Sequence, residues 1–487
     1  MSSSLLARIA KNSTVGLLEK LIEILAGVAS VAILARYLDI ETFGLYTVIT
    51  TVAALIFIIC GAGLDRVMVR DIAADKGNLL KYLQDVKGAT IILAGISLFL
   101  VIIISYLLDL NNKMTLGAIF IFAVSELISM YVSVYMSVFR AFEKMEYNTF
   151  ITFIARIITL LGLIAVAYFR LGFLSIFVSM VMGNIFKAVL TFSMFRMFFS
   201  SAQIPVSFMN SQAITKGSLT IAFSAFFAVT SIRMGVYLLK AFGSLEDVAF
   251  FQVSNSLFIL LQPISIVIVA ALYPVMSRRE KDAEHIFEKA AKFLFIISLP
   301  VTAITFFYGH ELIFLVYGSK YINAVSAMKI LVLSVSFTFL ANLFEASLLS
   351  DHKQHLLTAG WGIAFSVNIV MGLLIIPRYG LIGYTAVAFM AYMSLFFSLY
   401  FFMSHYTRFK LKSNIFVRPC VAFIAMGSYL YFFASTARPL NIKLALLNIT
   451  VSLALYMTVL FIMKVFSIKE IGLIKSLLIQ KKISELP

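Results

Sequence analysis

Glu19, Lys20 and Glu23 stand within five residues of one another inside an otherwise apolar stretch, and Arg233 stands alone inside a second. A charge at the centre of a bilayer costs about 3 kcal/mol by insertion measures, so an ionisable residue in such a place is a candidate functional group. The spacing of four puts both glutamates on one helix face, and the spacing of three lets Lys20 pair with Glu23, leaving one carboxylate over. A spare carboxylate can bind a proton or a sodium ion, or exchange salt bridges as helices move. The competing role is a structural ion pair that holds the segment to its neighbour. The planar donor fork of Arg233 suits a pyrophosphate or an acidic sugar, against a structural pair or a snorkelling side chain.

Other polar residues in apolar surroundings carry weaker arguments. Arg36 and Lys240 sit at matching helix ends, where an outer gate with Asp39, Glu246 or Asp247 competes with interfacial anchoring. Glu126 and Lys187 fall near mid-membrane, and mutual neutralisation within one half is the favoured role. Asn255 and Gln252 are candidates for sugar hydroxyls, with helix-to-helix bonding as the alternative. Arg156, Lys329 and Glu345 lie nearer helix ends and are assigned no function. Cys60 and Cys420 form no CxxC pair and no cluster with histidine, so no metal and no disulfide is expected. The N-S-T at Asn12 and the N-I-T at Asn448 lie in a cytoplasmic tail and within a span, where neither is glycosylated.

The elements that must hold these groups are membrane helices. Of 487 residues, 62% are hydrophobic and only 13% charged, which is more apolar surface than a soluble core can hide. Apolar runs predict fourteen spans, at 14–36, 42–62, 86–107, 114–139, 149–168, 173–197, 216–240, 248–276, 290–308, 324–349, 356–376, 381–405, 415–434 and 443–466. The first begins like a signal peptide, after Arg8 and Lys11, but its charges and its run to Leu38 predict a retained helix. With both termini and every even-numbered connection cytoplasmic, about two thirds of the 39 Lys and Arg fall on the cytoplasmic side, as the positive-inside rule requires. The net charge of +16 is therefore read as orientation signal in Arg66 to Lys87, Arg278 to Lys292, Arg408 to Arg418 and Lys464 to Lys482, and not as a nucleic-acid surface.

Residues some 205–209 apart repeat one another in three places: RYLDIETFGLY (36–46) with KAFGSLEDVAFF (240–251), FRAFEKMEYN (139–148) with LLSDHKQHLL (348–357), and YFRLGFLSIF (168–177) with IPRYGLIGYT (376–385). An offset of six spans keeps orientation, so the halves are expected to be parallel repeats. The expected fold is an all-α integral membrane protein with about fourteen transmembrane helices. Two parallel six-helix lobes, 1–205 and 206–407, enclose a central cleft, and 408–487 adds two spans and a cytoplasmic tail.

ILARYLDIETFGLYTVIT (33–50), LLKAFGSLEDVAFFQVSNSLF with ALYPVMSRR (238–279), GHELIFLVYGSKYINAVSAMKIL (309–331) and LLIIPRYGLIGYTAVAFMAY (373–392) resemble the polysaccharide transporter branch of the multidrug/oligosaccharidyl-lipid/polysaccharide exporter superfamily. The resemblance implies a flippase that moves an isoprenoid-pyrophosphate-linked glycan from the cytoplasmic to the outer leaflet of a prokaryotic cell membrane. It implies that Arg233 and Lys20 hold the lipid-linked pyrophosphate; from the residues themselves Asn255 is a further substrate-binding candidate, and Glu19, Glu23, Arg36 and Lys240 are candidates for ion coupling or gating. No cofactor is expected beyond a coupling proton or sodium ion. The expected partners are the lipid-linked glycan, membrane lipids and glycan-assembly enzymes, with the chain itself a monomer.

Two other classes compete. A multidrug/cation antiporter of the same superfamily shares the two-lobe plan and would use a membrane glutamate for coupling, although twelve spans are usual there. A membrane-embedded glycosyltransferase or polymerase needs an acid, base or metal site on a substantial aqueous loop. The longest outer connection, Tyr308 to Asn323, offers one His and one Glu and no paired carboxylates. A transporter, not an enzyme, is the expectation.

Overall fold

The computed structural model describes residues 3–465 except 62, 109, 111, 200–204, 208–210, 278–282, 412–413 and 434–441. The basic tail expected up to Lys482 from residue 466 on, and Arg278, Arg279, Lys281 and Lys412 of the other basic stretches, lie outside the described residues, as do the side chains of Arg8, Lys11, Asn12 and Arg66. Among the described residues every regular element is helical. The first seven helices are α1 (Ser3–Tyr37), α2 (Ile40–Gly61), α3 (Leu64–Ala74), α4 (Leu79–Leu107), α5 (Lys113–Ala141), α6 (Met145–Phe169) and α7 (Gly172–Phe198). The next five are α8 (Ser211–Phe242), α9 (Leu245–Leu261), α10 (Pro263–Ser277), α11 (Ala283–Phe307) and α12 (Gly309–Tyr317). The chain closes with α13 (Ala324–Val332), α14 (Val335–Ser350), α15 (Gln354–Tyr406), α16 (Asn414–Phe433) and α17 (Ile442–Ile462).

In hydrocarbon a backbone group has no water to bond, so each segment must satisfy its own polar groups as a helix. Hydroxyls in these helices do the same: Ser30, Thr47, Thr90 and Ser97 each donate to the carbonyl four residues earlier, at 2.7–2.9 Å. Ten helical segments are long and apolar enough to cross a bilayer, or eleven when α13 and α14, bent by 44°, count as one. At 1.5 Å per residue the 53 residues of α15 would reach about 80 Å if straight, far beyond a hydrocarbon core of about 30 Å. They fold back at Gly380, whose φ of 50° and ψ of −129° lie outside any helix. With α15 counted twice, and α1 and α8 added, the chain has fourteen spans.

Two expected spans prove to be broken. The eighth divides into α9 and α10 between Gln262 and Pro263, where proline lacks the N–H that a continuous helix needs. The tenth bends between α13 and α14. The Gln262 amide donates to Thr338 Oγ1 at 3.2 Å, and Asn342 to Ser265 Oγ at 2.8 Å, so both breaks are stitched by side chains. Two shorter features differ from expectation. The connection read as a loop at 308–323 contains α12 and a 3-10 turn, Ser319–Tyr321, and the stretch after α2 folds as α3.

The repeat extends to the backbone. Asp39 accepts from the Thr42 amide before α2, and 205 residues later Ser244 accepts from the Asp247 amide before α9. Glu143 and His352, 209 apart, both take φ near 60° at turns that leave α5 and α14. Gly172 and Gly380, 208 apart, take φ of 73° and 50°. Packing repeats as well: α1 lies on α6 as α8 lies on α15, and α5 on α7 as α14 on α15.

At the end bearing the α1–α2 turn, one apolar core runs through both lobes. It joins Leu34, Phe43 and Ile49 to Val248, Phe251, Tyr317 and Tyr321. At the opposite end each lobe keeps its own core, around Phe139 and Leu83 in the first and Phe287 and Phe344 in the second. The lobes therefore share a core at one end, while toward the other their cores are separate and α3 still touches α8. Gly44 makes that meeting possible, because a Cβ there would lie 2.0 Å from the Leu245 carbonyl oxygen. Gly44→Ala is expected to lower the thermal midpoint of the detergent-solubilised protein and destabilise it by about 1–3 kcal/mol. An unchanged midpoint would show that the lobes do not depend on this contact.

Candidate functional site

A cavity of about 400 Å³ lies between the lobes, beneath the shared core. Helix periodicity explains which residues reach it. On α1 Lys20, Glu23, Gly27 and Ser30 recur every three or four residues, and on α9 Gln252, Ser256 and Ile259 do the same. α5 supplies Ser125 and Glu126, α6 Arg156 and Thr159, α7 Asn184, and α8 Arg233. The cavity is lined by three cations, Lys20, Arg156 and Arg233, and two carboxylates, Glu23 and Glu126.

Lys20 Nζ pairs with Glu23 Oε2 at 3.2 Å, as the spacing of three predicts. Glu19 does not share that face in practice. It leans onto α6 and accepts from Thr152 Oγ1 at 3.2 Å, outside the cavity lining. Four residues advance a helix by about 400°, so the two glutamates diverge by some 40°, enough for α6 to capture one of them. Glu126 makes no ion pair within hydrogen-bonding reach among the described residues. It feels Lys187 most, then Arg233, then Arg156. Lys187, the expected partner inside the first lobe, acts on it most, and Arg233 adds a charge from the second lobe.

Arg156, assigned no role from sequence, lines the cavity. Its signal was present as a polar stripe at Thr149, Thr152, Arg156 and Thr159, which faces α1 through Thr149 to the Val15 carbonyl and Thr152 to Glu19. Asn255 is a correction. It lies in a much smaller pocket within the second lobe, with Ser231, Trp361, Asn368 and Tyr392. Rotation of about 100° from Ser256 turns it toward α15 and away from the cleft.

The expected gate of cations and carboxylates is also corrected. Arg36, at the end of α1, donates Nε to the Val316 carbonyl at 2.9 Å and Nη2 to the Leu315 carbonyl, in the last turn of α12. Lys320, just past α12, donates to the Arg36 carbonyl at 3.2 Å and to the Leu38 carbonyl, in the last turn of α1. Each lobe thus sends a cation to the negative end of the other lobe's helix, where unpaired carbonyls concentrate partial charge. Asp39 stands beside Lys320. Partial burial raises its carboxyl, but hydrogen bonds from Thr42 and the Lys320 charge outweigh that and hold it below the ordinary value. Asp247 is engaged by the Ser244 amide, and Lys240 makes no hydrogen bond or ion pair among the described residues.

Among the described residues no cluster of three His, Cys, Asp or Glu side chains has metal-binding geometry, and Cys60 and Cys420 are free thiols. The arrangement is suited to holding a polyvalent anion inside a membrane, since Arg233 and Arg156 present guanidinium groups with no hydrogen-bond acceptor among the described residues, next to hydroxyl and amide groups from both lobes.

The model of a family described as polysaccharide biosynthesis protein matches residues 9–280. No curated protein matches the chain. Among solved structures, the lipid II flippase MurJ in an inward closed conformation superposes with a TM-score of 0.77 at 13% identity, covering 91% of this chain and 97% of the other. An inward-facing multidrug resistance MATE family transporter of the MOP superfamily gives 0.61 at 16% identity, covering 79% and 94%. A variant of the MATE transporter VcmN from Vibrio cholerae gives 0.57 at 15%, covering 82% and 97%. The fold is that of these multi-pass membrane transporters, and the expectation of a helical transporter fold holds.

Proposed function

We propose, from the premise that this chain belongs to the polysaccharide biosynthesis protein family, that it is a flippase for a lipid-linked glycan. An isoprenoid-pyrophosphate oligosaccharide or polysaccharide unit enters the charged cavity by its headgroup while its tail stays in the bilayer, and it leaves toward the outer leaflet when the lobes rock. The observation that carries the reading is the cavity itself, where Lys20, Arg156 and Arg233 converge from α1, α6 and α8 between lobes joined at one end. A pyrophosphate brings charge that these cations can match, and Gln252, Ser256 and Asn184 offer hydrogen bonds to sugars.

In this reading residues 1–205 and 206–407 are the moving lobes, and 408–487 flanks the second. Both termini are cytoplasmic in a prokaryotic inner membrane, so the α1–α2 end is the outer end and the shared core closes it. The chain acts as a monomer beside glycan-assembly enzymes, without a cofactor and with a proton or sodium ion as coupling partner. A second reading, cation-coupled drug export, is favoured by Glu23 and Glu126 in the same cavity, since carboxylates attract cationic drugs as well as ions.

The test is leaflet exposure in proteoliposomes, with a lipid-linked oligosaccharide inside and a glycosidase or lectin outside. Exposure at least tenfold faster than in protein-free vesicles is the expected result. Unchanged exposure for several lipid-linked glycans, together with drug-for-ion exchange, would transfer the assignment to the antiporter.

A further inference from the structure

Outside the cavity, one carboxylate within a span of the second lobe makes no ion pair among the described residues. Glu345, on α14, accepts a hydrogen bond from Trp361 Nε1 of α15 at 2.8 Å. Its other oxygen makes no hydrogen bond among the described residues. The elements packed on α14 bring it no charge. α10 carries no ionisable side chain except Tyr273, and the charged residues of α11, Glu284 to Lys292, lie in its first three turns. Near the end of α14, Asp351 is engaged with Arg408, and α15 brings the phenols Tyr392 and Tyr400 with His355 in its first turn. Among the described residues none of these bonds to Glu345, whose one hydrogen-bond partner is the indole. A carboxylate in this position exchanges a proton more readily than it binds a metal ion, which would need several oxygen ligands.

Trp361 is also a wall of the small, mostly apolar pocket that holds Ser231, Asn255 and Asn368, and Ser231 and Asn368 each keep a buried oxygen without a hydrogen-bond partner among the described residues. Ser231 lies on α8, two residues from Arg233. The indole therefore touches both the carboxylate and the packing between α15 and the helix that carries the cavity arginine. We propose that Glu345 is a proton-binding site of the transport cycle, and that Trp361 relays its protonation state to the α8–α15 contact. The proposal rests on the transporter reading above. One proton binds to a carboxylate oxygen in one orientation of the lobes and is released in the other, with no covalent step.

Trp361 is the sole tryptophan of the chain, so its emission reports on this hydrogen bond without engineering. In the full-length protein in proteoliposomes, emission between pH 5 and 9 is expected to follow a one-site curve. Glu345→Gln should flatten the curve, and Glu345→Asp should restore it with a displaced midpoint. An imposed pH gradient should accelerate lipid-linked glycan exposure in wild type and in Glu345→Asp, and Glu345→Gln should lose that acceleration. An emission curve that survives in Glu345→Gln, or full gradient response in that variant, overturns the site. If Glu345→Gln does not fold, an Asp variant whose midpoint stays at the wild-type value overturns it equally. A titration that depends on Glu345 in a protein that exposes no lipid-linked glycan would retain the proton site and remove the flippase reading.

Discussion

Arg233→Ala is expected to slow exposure of a lipid-linked oligosaccharide by ten- to a hundredfold. The guanidinium lines the cavity with no protein acceptor of its own among the described residues, so its donors are free for substrate. A hydrogen bond to a charged group is worth about 1.5–3 kcal/mol, and 1.4 kcal/mol is tenfold, which sets the range. Arg233→Lys should recover only part of the rate, because an ammonium cannot present two parallel donors to a phosphate. Removal of the arginine also strips one cation from the field of Glu126, so an orphaned carboxylate could mimic a lost substrate contact. The double variant Arg233→Ala with Glu126→Gln separates the two causes. Recovery toward wild type would assign the defect to the stranded carboxylate, and a persistent loss would assign it to substrate. Wild-type rates in Arg233→Ala itself would take Arg233 out of the site.

Loss of the two latch cations is expected to shift the resting conformation. In Arg36→Ala with Lys320→Ala, a cysteine placed at Thr50 in the cavity, in a background without Cys60 and Cys420, should react at least tenfold faster with an impermeant thiol reagent from the outer side. Arg36 and Lys320 are partly exposed, so each contact is worth less than a buried one. Together they still hold four carbonyls, and about 1.4 kcal/mol in total suffices for a tenfold change in the closed-to-open ratio. The same variant should flip substrate more slowly if outward closure is needed before the headgroup enters. Unchanged labelling would mean that the apolar core of Phe43, Phe250 and Tyr321 closes this end without help, through ring contacts at 5.9 and 6.2 Å.

Most of the scaffold was legible in the sequence because lipid leaves few options. A run of some twenty apolar residues has to become a helix. The repeat was legible too, since the caps at Asp39 and Ser244 and the turns at Glu143 and His352 impose the same backbone geometry on dissimilar side chains. What the sequence concealed depends on rotation about helix axes. Arg156 faces the cavity and Asn255 does not, which position along a span does not reveal. Glu345 was read as reaching water by its position in the span, whereas α15 brings Trp361 against it. Burial of this kind is set by a partner more than a dozen residues away, which hydropathy does not register.

The latch described above has a further consequence for how this surface can change over generations. Arg36 and Lys320 both end on main-chain oxygens, those of Leu315, Val316, Arg36 and Leu38. A contact between cations and carboxylates would bind four codons together, and loss of any one would leave a charge stranded. Here the receiving half is written into the polypeptide itself, so substitutions at Leu315, Val316 or Leu38 leave every acceptor in place. The closure depends on two codons, and the residues it grasps are free to drift with the lipids around them.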